Sequence, residues 1–125
     1  MKTKSRSLWH AMWLRLTKAR ATMKIRVYKG LQQHLGALDP ALPRPLPVDL
    51  LLFFPFIQAG GVLHTRGLKE PIRVYLLDAD YDLVGEALDA PPESAFPLSG
   101  NIRHVLETSC SCPLIADFAF LKNQS

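Results

Sequence analysis

The sequence predicts an α+β domain in which one or two N-terminal helices precede a small, curled or barrel-like, mostly antiparallel β-sheet. Three observations predict it. Apolar residues at helical spacing are confined to the part of the chain before residue 39. Four prolines, Pro40, Pro43, Pro45 and Pro47, then forbid regular helix or central strand. From Asp49 onward, short apolar or alternating runs are separated by Gly, Pro and Asp turn signals. With 125 residues and 48% hydrophobic composition, the chain has the size and apolar content of one compact domain.

Ser7 is positioned as N-cap of a helix from Leu8 to Met23, on which Trp9, Met12, Trp13 and Leu16 share a face. The alternating Lys24-Ile25-Arg26-Val27-Tyr28 fits a short strand or the lead into a helix, and Leu31, Leu35 and Leu38 fit a second short helix. The proline-rich stretch reads as a stiff extended connection. Beyond it, strands are expected at Leu50–Phe54, Val62–Thr65 and Ile72–Leu77. A turn follows at Asp78–Asp82, then a hairpin partner at Leu83–Leu88, a strand at Ile102–Thr108 and a last one at Leu114–Leu121.

Charge divides the chain. Residues 1–38 hold nine Lys or Arg and no acid, whereas residues 39–125 hold six basic and eleven acidic residues. Residues 1–29 therefore read as a basic amphipathic helical arm and residues 30–125 as a small β-rich body. Such an arm packs on its own domain or docks on a nucleic acid or a membrane surface. The N-terminus lacks a clean cleavage site, and no apolar run reaches the roughly 18 residues that span a bilayer, so a cytoplasmic protein is expected. Two cysteines exclude a disulfide-dense scaffold.

The segment LHTRGLKEPIRVYLLDADYDLVGEA, residues 63–87, resembles a recurring pattern of the bacterial and archaeal "domain of unknown function 192" family. His64-Thr65, Pro71-Ile72 and the run from Val74 to Asp78 carry the likeness. Gly30-Leu31, DLLLFFPF (49–56) and PLSGNIRHVLE (97–107), with Val105-Leu106-Glu107, extend it on both sides. The chain departs from the pattern at Leu68, where a Met is usual, at Arg73, where an Asp is usual, and at Tyr81, where the turn Gly is usual. The family is compact and β-rich, and no reaction is established for it. Some members are exported and others are encoded near pilus or secretion genes. The resemblance thus implies a non-enzymatic accessory or ligand-binding domain, with a tie to such machinery as one expectation, and no cofactor.

The residues singled out for binding are His64, Thr65, Arg66, Arg73 and Asp78. An imidazole beside a hydroxyl, with cationic donors nearby, suits a small anionic ligand or a peptide. A small enzyme with His64 as general base is the alternative reading. Gly-x-Ser-x-Gly, a phosphate-binding Gly-rich loop and Glu-x-x-His are absent from the sequence. Asp78, Asp80, Asp82 and Asp89 have calcium-loop spacing, but Leu83 stands where the loop needs Gly. Cys110 and Cys112 with His64 and His104 could supply four zinc ligands, in a spacing that matches no common finger. No metal is therefore assigned.

Overall fold

The computed structural model describes residues 23–124. It is mostly sheet. Seven strands form: β1 (Lys24–Val27), β2 (Leu50–Phe54), β3 (Val62–His64), β4 (Ile72–Leu77), β5 (Leu88–Ala90), β6 (Ala95–Pro97) and β7 (His104–Ser109). Five of them make one mixed sheet in the order β1-β2-β7-β4-β5, and β3 pairs with β6 in a separate two-stranded ribbon. Among the described residues the helical elements are three short 3-10 segments, Gly30–His34, Gly36–Leu38 and Ala119–Gln124.

The centre of the sheet is β7, flanked antiparallel by β2 and β4. Its neighbours LLLFF and IRVYLL are the chain's most apolar runs, as expected of strands buried on both faces. The sheet is open, not barrel-like, with β1 and β5 at its edges. It is mostly antiparallel, as expected, the exception being β1, which runs parallel to β2 with Lys24 opposite Leu50. The reason lies in the connection. Residues 28–49 form a long crossover of 3-10 turns and prolines, which returns the chain in the same direction where a tight turn would reverse it.

Other elements differ from expectation for identifiable reasons. The second helix divides into two 3-10 segments at Gly36, whose φ of +49° breaks a regular helix. The stretch Leu114–Leu121 forms no strand. Its inward residues Ile115, Phe118 and Leu121, continuing from Cys112 before it, recur every three positions, a period that covers a face but cannot pleat. The expected hairpin partner of β4 is reduced to a bridge between Leu77 and Leu83, followed by β5. Strand β6, which follows Pro91-Pro92 and ends on Pro97, has no counterpart among the expected strands. The proposed helix Leu8–Met23 lies outside the described residues save for Met23, whereas residues 24–27 of the stretch assigned to the basic arm form the sheet's edge strand β1.

Alternation along the strands separates two cores. One face carries Leu52, Phe54, Ile72, Val74 and Val105, covered by the crossover and the β3–β6 ribbon. The other carries Leu51, Phe53, Tyr75, Leu77 and Leu106, covered by the C-terminal segment. No helix of the described residues is long and apolar enough to cross a membrane.

Candidate functional site: a cavity over a buried glutamate

On the crossover side of the sheet lies a cavity of about 730 Å³. Its walls come from the 3-10 turns at 30–38, from the loop after β2, from the β3–β6 ribbon, and from β2, β4 and β7. Phe54, Leu63, Leu68, Ile72, Leu98 and Val105 give it an apolar interior. Leu31, Leu35, Leu38, Phe56 and Val62 also line it, and these are five of the eight large apolar residues that the described chain leaves exposed. Exposed apolar surface is thus concentrated around one opening, unlike the scattered exposure that carries no meaning.

Glu107 is the one acidic residue in that lining. On β7 it follows Val105 by two positions, so pleating aims both side chains at the same face. Only 7% of it is exposed. Neither a hydrogen bond nor an ion pair forms at its carboxyl among the described residues, and no Lys or Arg lines the cavity. Burial alone pushes its pKa up to about 8. The close fit above it depends on Gly36. A Cβ there would lie 3.3 Å from the Phe54 ring and 3.9 Å from Glu107 Oε1, so the missing side chain lets the turn settle over both.

The mouth has a fixed edge at Phe56. This residue takes φ of +51°, a left-handed conformation that is costly for a bulky side chain. Two interactions hold it there. Its backbone N–H donates to His104 Nδ1 at 3.1 Å, and its ring meets the His104 imidazole edge-on at 4.9 Å. His104 in turn stacks on Tyr81 at 4.2 Å and is buried. Desolvation lowers its pKa, which keeps Nδ1 free to accept. Gln33 ties the other wall, its amide donating to the carbonyls of Tyr28 and Pro55 at 3.1 and 2.8 Å.

The five residues singled out from the sequence do not share one rim. His64 is exposed and lines the cavity. Thr65 is buried beside it, its hydroxyl donating to the Pro91 carbonyl at 2.6 Å and accepting from the Ser94 N–H at 2.8 Å, so it closes the ribbon. Arg66 is exposed in the loop after β3 and does not line the cavity. Arg73 lies on the opposite face, where its guanidinium donates to the carbonyls of Cys112 and Cys110 at 2.8 and 2.9 Å and pairs with Asp89 at 3.1 Å. It serves as a clamp on the C-terminal segment. Asp78 caps its own turn, accepting from the N–H groups of Asp80 and Asp82. The period of two along β4 separates Arg73 from Ile72 and Val74, and this decides its side.

Asp78, Asp80 and Asp82 bring carboxylate oxygens within 4.8 Å of one another on an exposed turn. Cys110 and Cys112 are free thiols and, among the described residues, form no metal-sized cluster with His64 and His104. Glu107 was not singled out from the sequence. The signal that could have found it is an acidic residue at an inward position of a strand, two places after a core valine.

No family model matches this chain, and no curated protein matches it. Two solved structures share its fold. One is a protein of unknown function from Novosphingobium aromaticivorans, 16% identical, with a TM-score of 0.56 over 81% of this chain and 67% of that one. The other is a candidate transcription regulator from Sinorhizobium meliloti, 14% identical, with a TM-score of 0.56 over 82% of this chain and 74% of that one. At these identities the likeness is one of fold: a mixed β-rich domain that nature uses in more than one protein.

Proposed function

We propose that the protein is a non-enzymatic binding domain that holds a small, largely apolar ligand in the cavity above β7, and that it is a divergent member of the domain of unknown function 192 family. The observation that carries the binding reading is a cavity of about 730 Å³ whose apolar walls surround a single carboxyl without a partner. Ligand sites have this size and this sparse polar content. No fully enclosed side-chain oxygen of the described residues lacks a partner, so the Glu107 carboxyl, which bonds to no protein group, opens on the cavity space where a ligand would meet it. The small anionic ligand expected from the sequence does not suit this lining, which offers no Lys or Arg. A peptide would have to insert an apolar side chain. An accessory role beside pilus or secretion machinery stands on the family likeness alone. Placement in the cytoplasm accords with the two unbonded thiols, which persist in a reducing compartment.

The test is saturable uptake of the neutral apolar fluorophore Nile red by the full chain. Leu38→Trp, which puts an indole at the cavity mouth where Leu38 is part exposed, is expected to weaken that uptake at least several-fold. Non-saturable uptake, or uptake equal in the two proteins, overturns the reading.

A small enzyme is the second reading. A carboxyl that titrates near pH 8 is matched to proton transfer at neutral pH. On this reading the acid–base group is Glu107, since His64 makes no hydrogen bond to a carboxylate among the described residues. The adaptor reading rests on the basic arm, most of which lies outside the described residues.

A further inference from the structure

We infer that the cavity takes an apolar ligand bearing one protonated amine, held by an ion pair between its ammonium group and the Glu107 carboxylate. The inference rests on the binding reading above and names the ligand's polar group. It follows from the charges that the cavity contains and lacks. Glu107 is the one carboxyl in the lining, 7% exposed and without a partner among the described residues. No Lys or Arg lines the cavity, so the ionised form of this carboxyl finds a countercharge only in a ligand.

The elements packed around Glu107 add little charge of their own. Strands β2 and β4 present Leu52, Phe54, Ile72 and Val74 to this face. The Gly36–Leu38 turn contributes apolar residues only. The other titratable side chains of the lining are His34 and His64. Three ligand classes can then be ranked. A carboxylate or phosphate would bury its charge beside a carboxyl with no fixed cation near it, an unfavourable arrangement. A hydroxyl would gain one hydrogen bond. An ammonium would gain a charge-assisted hydrogen bond in a site of low polarity, the strongest of the three. The apolar walls and the leucines at the mouth suit an alkyl or aryl body behind it.

The proton balance gives a second signature. The empty cavity holds Glu107 protonated at neutral pH. Binding an ammonium ion expels that proton to solvent while the ligand keeps its own. Amine affinity therefore rises with pH up to the carboxyl's titration range. Between pH 6 and pH 8 the rise is roughly 10- to 50-fold, from an ordinary proton linkage of one group. The part of this rise that belongs to Glu107 is the part that Glu107→Gln removes.

Isothermal titration of the full chain with octylamine, octanol and octanoate separates the ranked classes, because the three share one alkyl body. Octylamine is expected to bind about tenfold or more tighter than octanol at pH 8, with octanoate weakest. In Glu107→Gln, octylamine should fall to the level of octanol, while octanol is unchanged. Equal affinity of octylamine and octanol for the unaltered protein overturns the amine assignment, as does failure of all three to displace bound Nile red; either result leaves the binding reading standing. Absence of saturable Nile red uptake in the same protein overturns the binding reading and this inference together. The comparison within the unaltered chain decides the matter even if Glu107→Gln does not fold.

Discussion

The two faces of the central sheet are built from the same strands and finished differently. On one, the C-terminal segment closes over Leu51, Phe53, Tyr75 and Leu106. Its polar groups are matched. The Ile115 N–H donates to the Tyr75 hydroxyl at 3.3 Å, and Arg73 holds the Cys110 and Cys112 carbonyls. On the other, the crossover and the ribbon stand off the sheet and leave a cavity on which the Glu107 carboxyl opens without a protein partner. The closed face is filled by side-chain contacts, whereas the open one leaves a space over its strands. Proteins carry such departures from close packing where binding requires them.

Four substitutions sharpen this contrast, in decreasing order of expected effect. Phe118→Ala removes a ring that packs at 5.2 Å from Tyr75 in the closed core and should cost about 3–5 kcal/mol, read by urea unfolding. Nile red uptake by the folded fraction should be unchanged. An equal loss for Leu38→Ala at the cavity mouth would erase the distinction between the faces.

Glu107→Gln should alter the pH dependence of stability. The folded carboxyl holds its proton up to about pH 8, whereas the unfolded one releases it near pH 4.5. The folded state thus binds more protons across that interval, and stability falls as pH rises through it, by up to about 1.4 kcal/mol per pH unit. The variant should lack this slope and be the more stable protein at pH 8. Parallel unfolding curves for the two proteins at pH 5, 6.5 and 8 would contradict the assignment of Glu107.

Arg73→Met should cost about 1–3 kcal/mol by leaving two carbonyls without their donor. Amide exchange should quicken over residues 110–118, with the cavity's uptake of Nile red unaffected. Weakened uptake without faster exchange would mean that Arg73 serves the cavity.

His104→Phe has the smallest expected effect, about 1 kcal/mol, because it keeps a ring under Phe56 but removes the acceptor of its N–H. The pH effect has the opposite sign to that of Glu107. Burial lowers the folded His104 pKa below its ordinary 6.5, so its contribution is present above pH 6.5 and is lost as pH falls below it. The variant should lose this acid-side decline and bind Nile red more weakly. An unchanged acid limb would remove His104 from the account of the mouth.

The strands were legible where the side chains alone could define them. LLLFF and IRVYLL are short, rich in branched or aromatic residues, and bounded by turn residues, and they form β2 and β4. The turn at Asp78–Asp82 followed from aspartates that cap their own backbone, and the structure shows those bonds. The candidate site was less legible. His64 reaches the cavity, but Arg73, nine residues on, lies on the other face, because a strand alternates sides and a linear motif does not show which side is which. Glu107 lies within the family likeness but carries no site signal of its own, since an acid in a strand becomes notable only when the strand proves central.

From residue types and spacing alone came the β-rich body, the proline crossover and the basic N-terminal third, because composition and local periodicity act over a few residues. Which strand would sit in the middle, that β1 would join in parallel, and that the C-terminal segment would cover one face and not pair, were tertiary outcomes. Each depends on contacts between residues far apart in the chain. The cavity belongs to the same class: no short stretch of sequence encodes it, since its floor comes from β2, β4 and β7 and its walls from residues 30–38 and 56–68. The charge environment of Glu107 is set by what those distant segments fail to bring near it.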